Sequence, residues 1–225
     1  MPPVRKGRKG SIESALSKQQ KTFAGIDEVG RGCLAGPVYA AIVVLAYERV
    51  RKLKKDERDL IRDSKTLTPL QRARIVPVIQ AIADEWYISS ASVAEIESLG
   101  ILKANFLAMR RALNQCHTDI DTLLVDGNLQ VPGYNGHQMT VVKGDSLCFS
   151  IAAASILAKE ARDRYMAKQA TQYPHYGFEN HVGYGTRQHL EMISKHGPCE
   201  LHRRNFAPFR TETEPTPGSV QGALF

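Results

Sequence analysis

The 225-residue chain predicts an α/β fold, a mixed sheet flanked by helices and followed by a helical C-terminal extension. Two observations lead there. Short apolar runs rich in β-branched residues recur along the chain and read as buried strands, while longer stretches carry apolar residues at helical spacing. The first three runs follow one another by short connections and the later ones alternate with helices, which fits a mixed sheet with helices on its faces. A hydrophobic fraction of 43% and a charged fraction of 24% are ordinary for a globular protein, and the length suits one domain with a sizeable core.

Residues 1–21 are basic and polar, with Arg5, Lys6, Arg8 and Lys9 close together, and read as a flexible basic tail. FAGIDEVG opens the first strand, RGCLAGP is a loop, and VYAAIVVLAY is a second buried strand. ERVRKLKKDERDLIRDSK is a charge-dense connection. PLQRARIVPVIQAIADE has helical spacing with Pro69 in the first turn, and Pro77 inside it is expected to kink or shorten the helix. WYISSASV reads as a third strand, ILKANFLAMRRALNQC as a helix, and DTLLVDGN and MTVVKGD as short buried strands. SLCFSIAAASILAKEARDRYMAKQA is a long helix whose Ala and Ser content suits close packing on the sheet. Beyond it the chain is richer in Gly, His and aromatic residues, with one helix over about 186–195. These features divide the chain into the tail 1–21, an α/β core over 22–172, a helical extension over 173–210, and a flexible tail over 211–225 that begins TETEPTPGSV.

A formal charge of +7 and a pI near 9.3 favour a polyanionic partner, because Lys and Arg that neutralise phosphates release condensed counterions. Cys33, Cys116, Cys148 and Cys199 are scattered, with no CxxC pair and no zinc-ligand spacing, so reduced thiols in a cytoplasmic protein are expected. The N-terminus lacks the apolar segment of a signal peptide, and the apolar stretch 38–46 is too short to span a bilayer.

Asp27 and Glu28 end the first strand, and Asp126 and Asp145 are read as ending DTLLVD and MTVVKGD. Sites in α/β folds gather at strand ends, where side chains converge outside the sheet. Neighbouring carboxylates repel one another unless cations compensate, and hard ions such as Mg²⁺ prefer oxygen ligands. Two such ions about 3.5–4 Å apart can clamp the attacking and leaving oxygens of a phosphoryl displacement. Any one of these acids alone reads more readily as a solvated cap, but an adjacent pair inside an apolar strand, with two more at strand ends, favours phosphodiester chemistry. GRGCLA, residues 30–35, formally matches the dinucleotide pattern GxGxxG/A. That motif needs a helix at the glycines, whereas Pro37 and a β-branched run follow here. The glycines instead suit close approach of a ligand to the backbone.

GIDEVGRGCLAGPV, DSKTL, LLVDGN, VVKGD, SIAAASILAKEARD, GYGT and HGPCELHRRNF, in this order from about Phe23 to Phe209, resemble ribonuclease HII, the bacterial type 2 ribonuclease H. The resemblance implies a ribonuclease H-like sheet in a monomer that acts on RNA–DNA hybrids and on duplex DNA containing ribonucleotides. It implies cleavage on the 5′ side of a ribonucleotide, giving 3′-hydroxyl and 5′-phosphate ends, in ribonucleotide excision repair and RNA primer removal. Asp27, Glu28, Asp126 and Asp145 match the catalytic, metal-binding acids, with two Mg²⁺ or Mn²⁺ ions expected during catalysis. One ion near Asp27 and Asp145 would activate water, and one near Asp27, Glu28 and Asp126 would stabilise the leaving oxygen. Asp163, the competing fourth acid, is expected to pair instead with Arg162 or Arg164.

Gly30, Arg31 and Gly32 match the loop that senses the 2′-hydroxyl, and Tyr184 the tyrosine that stacks on the following sugar. Lys65, Asn105, Arg203 and Arg204 are further candidates for substrate contact. Where many relatives carry Lys before GYGT, this chain has Asn180-His181-Val182, and His181 is the candidate replacement. The 22 residues before Phe23 leave no room for the N-terminal substrate-binding domain of ribonuclease HIII. Gln221, Leu224 and Phe225 resemble the QxxLF-type peptide that docks on the bacterial sliding clamp. A catalytically silent hybrid-binding protein and a nucleotide-cofactor enzyme are the rival classes.

Overall fold

The computed structural model describes residues 3–209, so the expectations for 211–225 lie outside the described residues. Its first element differs from the flexible tail expected over 1–21. The chain forms helix α1 (Ser11–Lys18), and Val4 ahead of it bridges Val141. The reason is local: Ile12 and Leu16, one turn apart, pack on the core, and Glu13 between them is buried. Basic composition hid this short amphipathic pattern.

Strands β1 (Phe23–Val29) and β2 (Val38–Leu45) form where the β-branched runs predict them. The charge-dense connection holds two short helices, α2 (Tyr47–Lys52) and α3 (Lys55–Leu60), and a tight 3-10 turn (Ser64–Thr66). Helix α4 (Pro69–Ile82) starts in a reciprocal cap between Thr68 and Gln71, with Pro69 in its first turn. Pro77 does not end it; buried Ile75, Ile79 and Ile82 hold the helix against the core on both sides of the proline. Strand β3 (Ala83–Ala91) follows, then α5 (Val93–Leu99), a helix the periodicity did not reveal, capped by Ser92 and Glu95. Helix α6 (Ile101–Leu113), strands β4 (Thr122–Asp126) and β5 (Gln138–Val141), and the short α7 (Gly144–Leu147) lead into the long α8 (Phe149–Gln172). Helices α9 (Phe178–His181) and α10 (Arg187–His196) belong to the C-terminal extension.

The strands make one five-stranded mixed sheet in the order β3-β2-β1-β4-β5. β1 pairs antiparallel with β2, and β2 with β3, while β4 and β5 join parallel to β1. The short connection expected between successive early strands holds for β1 to β2; the path from β2 to β3 passes through α2, α3 and α4. Alternation along β2 divides the core. Ala41, Val43 and Leu45 face α4 and α8, and Ala40, Ile42 and Val44 face α6. A third cluster joins Met166 of α8 to Phe178 and Ile193 of the extension. Among the described residues no helix is long and apolar enough to cross a membrane.

α8 lies on β1 with almost nothing between the backbones. A Cβ added at Gly25 would stand 2.2 Å from the Ser150 carbonyl carbon and 2.3 Å from the Ile151 nitrogen. Neither atom belongs to a flexible side chain, so the helix would have to move. Gly25→Ala is therefore expected to destabilise the protein by about 3 kcal/mol, the upper range for overpacking, read as a lower urea midpoint. A midpoint equal to wild type would show that α8 shifts freely.

Candidate active site

The register of the parallel pair builds the centre of the site. Ile26 lies opposite Val125, so Asp27 and Asp126 follow abreast at the same end of neighbouring strands. Asp27 is 6% exposed and its Oδ1 accepts the Glu28 N–H at 2.7 Å. The Asp126 Oδ1 accepts the Gly144 N–H at 2.7 Å, which ties the end of β4 to the start of α7. Asp145 departs from the expectation. β5 stops at Val141, a left-handed turn at Lys143 redirects the chain, and Asp145 sits in the first turn of α7. Two strand ends and one short helix, not three strand ends, thus carry the acids.

Burial, then the charges of Glu28 and Asp126, hold the Asp27 carboxyl well above the usual carboxylate range. Burial raises Asp126 to about 6 against the opposing Gly144 N–H, with Asp145 and Glu28 adding repulsion. Asp145 is raised by burial and by Asp63, and eased by Lys65 and Lys9. Such mutually repelling, desolvated oxygens ionise together when a cation lies between them, and all-oxygen donors fit a hard divalent ion. Among the described residues, no three His, Cys, Asp or Glu side chains close to metal-ligand spacing. The carboxylates point instead at the protein's own donors, with Glu28 paired to Arg31 at 3.1 Å.

A cleft of about 580 Å³ is lined by all four acids and by Gly30, Arg31, Gly32, Lys65 and Tyr184. Ser64 and Ser155 also line it, and sequence reasoning missed both. Their hydroxyls lie 3.0 Å apart, and the Ser155 side chain eases the upward shift that burial imposes on the Asp27 carboxyl. The available signals were Ser64 beside Lys65 in DSK, and Ser155 midway between Ile151 and Lys159 at helical spacing on the face of α8 toward β1. Asn105 stands outside this cleft. It lines a smaller neighbouring groove with Glu28, Arg31 and Asp126, and its buried Oδ1 has no partner.

The glycine loop leads into β2 with no helix, so the dinucleotide reading fails on structure as well. Gly30 takes a φ of +94°, and a Cβ there would lie 2.2 Å from the buried Arg162 Nε, whereas a Cβ on Gly32 meets nothing. Two buried arginines hold the loop. Arg162 donates to the carbonyls of Pro37, Val182 and Ala35. Arg203, expected to contact substrate, is fully buried and donates to the carbonyls of Gly36 and Arg31. Its position after a turn, where many arginines are solvated, gave no sign of this. Arg204 is exposed. Asp163 makes the expected kind of ion pair with different partners, Lys159 at 2.6 Å and Arg72 at 2.7 Å.

Lys159 reaches over the Tyr184 ring, its Nζ 5.9 Å from the centroid. His181 does not replace the missing lysine: it is buried, bonded to the Tyr176 carbonyl and to the Gly183 N–H. Behind Tyr184, His189 Nδ1 donates to its carbonyl, and His189 Nε2 meets His202 Nε2 at 3.1 Å. Burial pulls both imidazoles down to about 4, so they are neutral at pH 7.

Comparison with known proteins agrees with this architecture. Residues 24–209 match the family description of ribonuclease HII. The chain is 46% identical over 195 residues to the ribonuclease HII of Prochlorococcus marinus (strain MIT 9313), an alignment covering 87% of this chain and 88% of that one. The ribonuclease H2 of Pyrococcus horikoshii OT3 shares the fold with a TM-score of 0.70 at 24% identity, over 84% of this chain and 95% of that one. So does the ribonuclease HII of Archaeoglobus fulgidus, solved as a complex with PCNA, with a TM-score of 0.64 at 21% identity over 81% and 92%. A family match over most of the length and close kinship with a ribonuclease HII settle the relationship: the chain belongs to the ribonuclease HII family of endoribonucleases, which hydrolyse the RNA strand of RNA–DNA hybrids.

Proposed function

We propose that the protein cuts the phosphodiester on the 5′ side of ribonucleotides, both within hybrids and at single ribonucleotides embedded in duplex DNA, leaving 3′-hydroxyl and 5′-phosphate ends. The observation that carries this reading is one cleft in which four acids adjoin an open glycine loop and Tyr184. Asp27, Glu28, Asp126 and Asp145 would hold two Mg²⁺ or Mn²⁺ ions. Such ions, when bound, supply a water of lowered pKa and stabilise charge on the leaving oxygen.

The chain's own residues do the rest. The exposed backbone at Gly32 lets a sugar come close, and backbone groups there can hydrogen-bond a 2′-hydroxyl, the group that separates RNA from DNA. Tyr184, held by Lys159 and the buried histidines, offers a ring face to the next sugar. Lys65 and Arg31 at the rim suit phosphate, and Arg204 extends the basic surface. Asn105, with its unpaired Oδ1, is suited to a polar contact in the adjoining groove. This chemistry fits ribonucleotide excision and primer removal in the cytoplasm. The terminal Gln221, Leu224 and Phe225 are proposed to dock on a sliding clamp; the Archaeoglobus fulgidus relative seen with PCNA makes such an association reasonable for this family.

Asp27→Asn is expected to lower cleavage of a DNA duplex carrying one ribonucleotide by about 1,000-fold or more, about 4 kcal/mol of transition-state stabilisation, while hybrid binding persists. Full turnover by the purified variant would remove Asp27 from the site. The loop assignment is checked by two alanines. Gly32→Ala should melt like wild type yet show a raised KM for the embedded ribonucleotide, whereas Gly30→Ala should lose stability by about 1–3 kcal/mol through its left-handed backbone. Equal KM values for wild type and Gly32→Ala would end the 2′-hydroxyl role. Removing residues 221–225 should abolish capture by immobilised clamp and leave cleavage of a short oligonucleotide unchanged; undiminished capture contradicts the docking proposal.

A further inference from the structure

The N-terminal segment lies outside the cleft, yet its contacts converge on the stretch that carries Asp145. Val4 N donates to the Thr140 carbonyl at 2.9 Å and the Val4 carbonyl accepts from Val142 N at 2.8 Å, extending the sheet beyond β5. Gly10 N donates to the Leu147 carbonyl at 2.8 Å. The Lys9 ammonium donates to the main-chain carbonyl of Asp145 itself at 2.7 Å and stands 5.1 Å from the Phe149 ring centroid. Glu13 is fully buried, and its carboxylate accepts the Phe149 N–H at 3.0 Å, the Ser150 N–H at 2.7 Å and the Ser150 hydroxyl at 2.8 Å.

Physical chemistry explains why such an anchor is needed there. The chain breaks between α7 and α8 at Cys148, which is extended (φ −121°, ψ 138°) and offers no capping side chain. The first N–H groups of a helix lack partners within it, and a carboxylate is the acceptor best suited to them and to the positive end of the helix dipole. Glu13 supplies that acceptor from a different element. A full helix running straight through Cys148 would carry Asp145 out of its present position; the break turns α7 so that Asp145 lines the cleft and Gly144 reaches Asp126. The position of Asp145 relative to Asp126 thus depends on what holds the break in place.

We propose that Glu13, together with Lys9, is a positioning residue for Asp145: Glu13 fixes the start of α8, Lys9 fixes the Asp145 main chain, and the pair preorganises the acid for a divalent cation. The inference rests on the reading of Asp145 as a metal ligand. Neither side chain lines the cleft, so their removal should act on cation binding and not on contacts with the duplex.

The test uses the full-length protein and Mn²⁺ as the probe. Mn²⁺ binding is measured by calorimetry without nucleic acid, alongside Mn²⁺ dependence and KM for a duplex with one ribonucleotide, well below the melting temperature. Glu13→Ala should weaken Mn²⁺ binding by about tenfold or more, the range typical of groups that orient metal ligands. It should raise the Mn²⁺ needed for half-maximal rate in parallel and leave KM at saturating Mn²⁺ within about twofold, with Glu13→Gln intermediate because it retains one acceptor oxygen. Lys9→Met removes the contact to Asp145 while the Glu13 hydrogen bonds to Phe149 and Ser150 keep their own partners, and should also weaken Mn²⁺ binding. A lowered melting temperature with unchanged Mn²⁺ affinity in both Glu13→Gln and Lys9→Met would overturn the proposal, leaving a structural role alone. If wild type binds no Mn²⁺, or Asp145→Asn binds it as tightly as wild type, the reading of the acids as ligands fails first, and the two failures are told apart.

Discussion

Backbone meets backbone where Ser150 and Ile151 of α8 cross Gly25 of β1, two residues before Asp27. The rest of the site is laid out from this contact. Because the helix sits so low, its next turns reach the cleft in succession. Ser155 comes against Asp27 and Ser64, Lys159 against Tyr184, and Arg162 against the carbonyls of the glycine loop. Alanines 152, 153, 154 and 158 are fully buried along the same helix and keep it close. A bulkier face would lift the helix and separate the acids on the sheet from the groups that organise the loop, since packed interiors adjust poorly to added volume.

Electrostatics runs in opposite directions in the two halves of the site. In the cleft, desolvated carboxylates face one another and the cations lie at the rim, which is a destabilising arrangement unless positive charge enters. Behind the loop, Arg162 and Arg203 are desolvated but meet backbone carbonyls, and burial lowers Arg203 to about 10. Arg203 Nη2 remains without a partner. These arginines hold a loop whose glycines offer no side chains to anchor it. The buried, neutral histidines behind Tyr184 extend the same design: each Nδ1 is satisfied by main chain and the two Nε2 atoms by each other, with no charge carried toward the cleft.

What could be read in advance follows the range of each signal. β-Branched runs showed β1 and β2, and Pro69 in the first turn marked where α4 begins, because those preferences act within a few residues. Helix α5 was hidden by its brevity, and α1 by a basic composition that masked Ile12 and Leu16. Pro77 is expected to kink or shorten its helix, yet α4 continues past it, with flanking core isoleucines outweighing the lost hydrogen bond. Arg203 could not be told from a solvated arginine, since burial is a property of what folds over it.

The sequence alone marked the candidate groups: residue type and local spacing pick out the four acids in order and the glycine loop beside the first pair, and the family resemblance picks out Tyr184. Tertiary structure decided where they meet. The parallel register of β1 and β4 brings Asp27 abreast of Asp126, a turn after β5 moves Asp145 onto α7, and Glu13 reaches across from the N-terminal segment to the start of α8. Each of these depends on partners far along the chain. Gly25 shows the division most plainly: the sequence displays a glycine inside a strand, and the reason for it is the helix backbone 2.2 Å from where a Cβ would be.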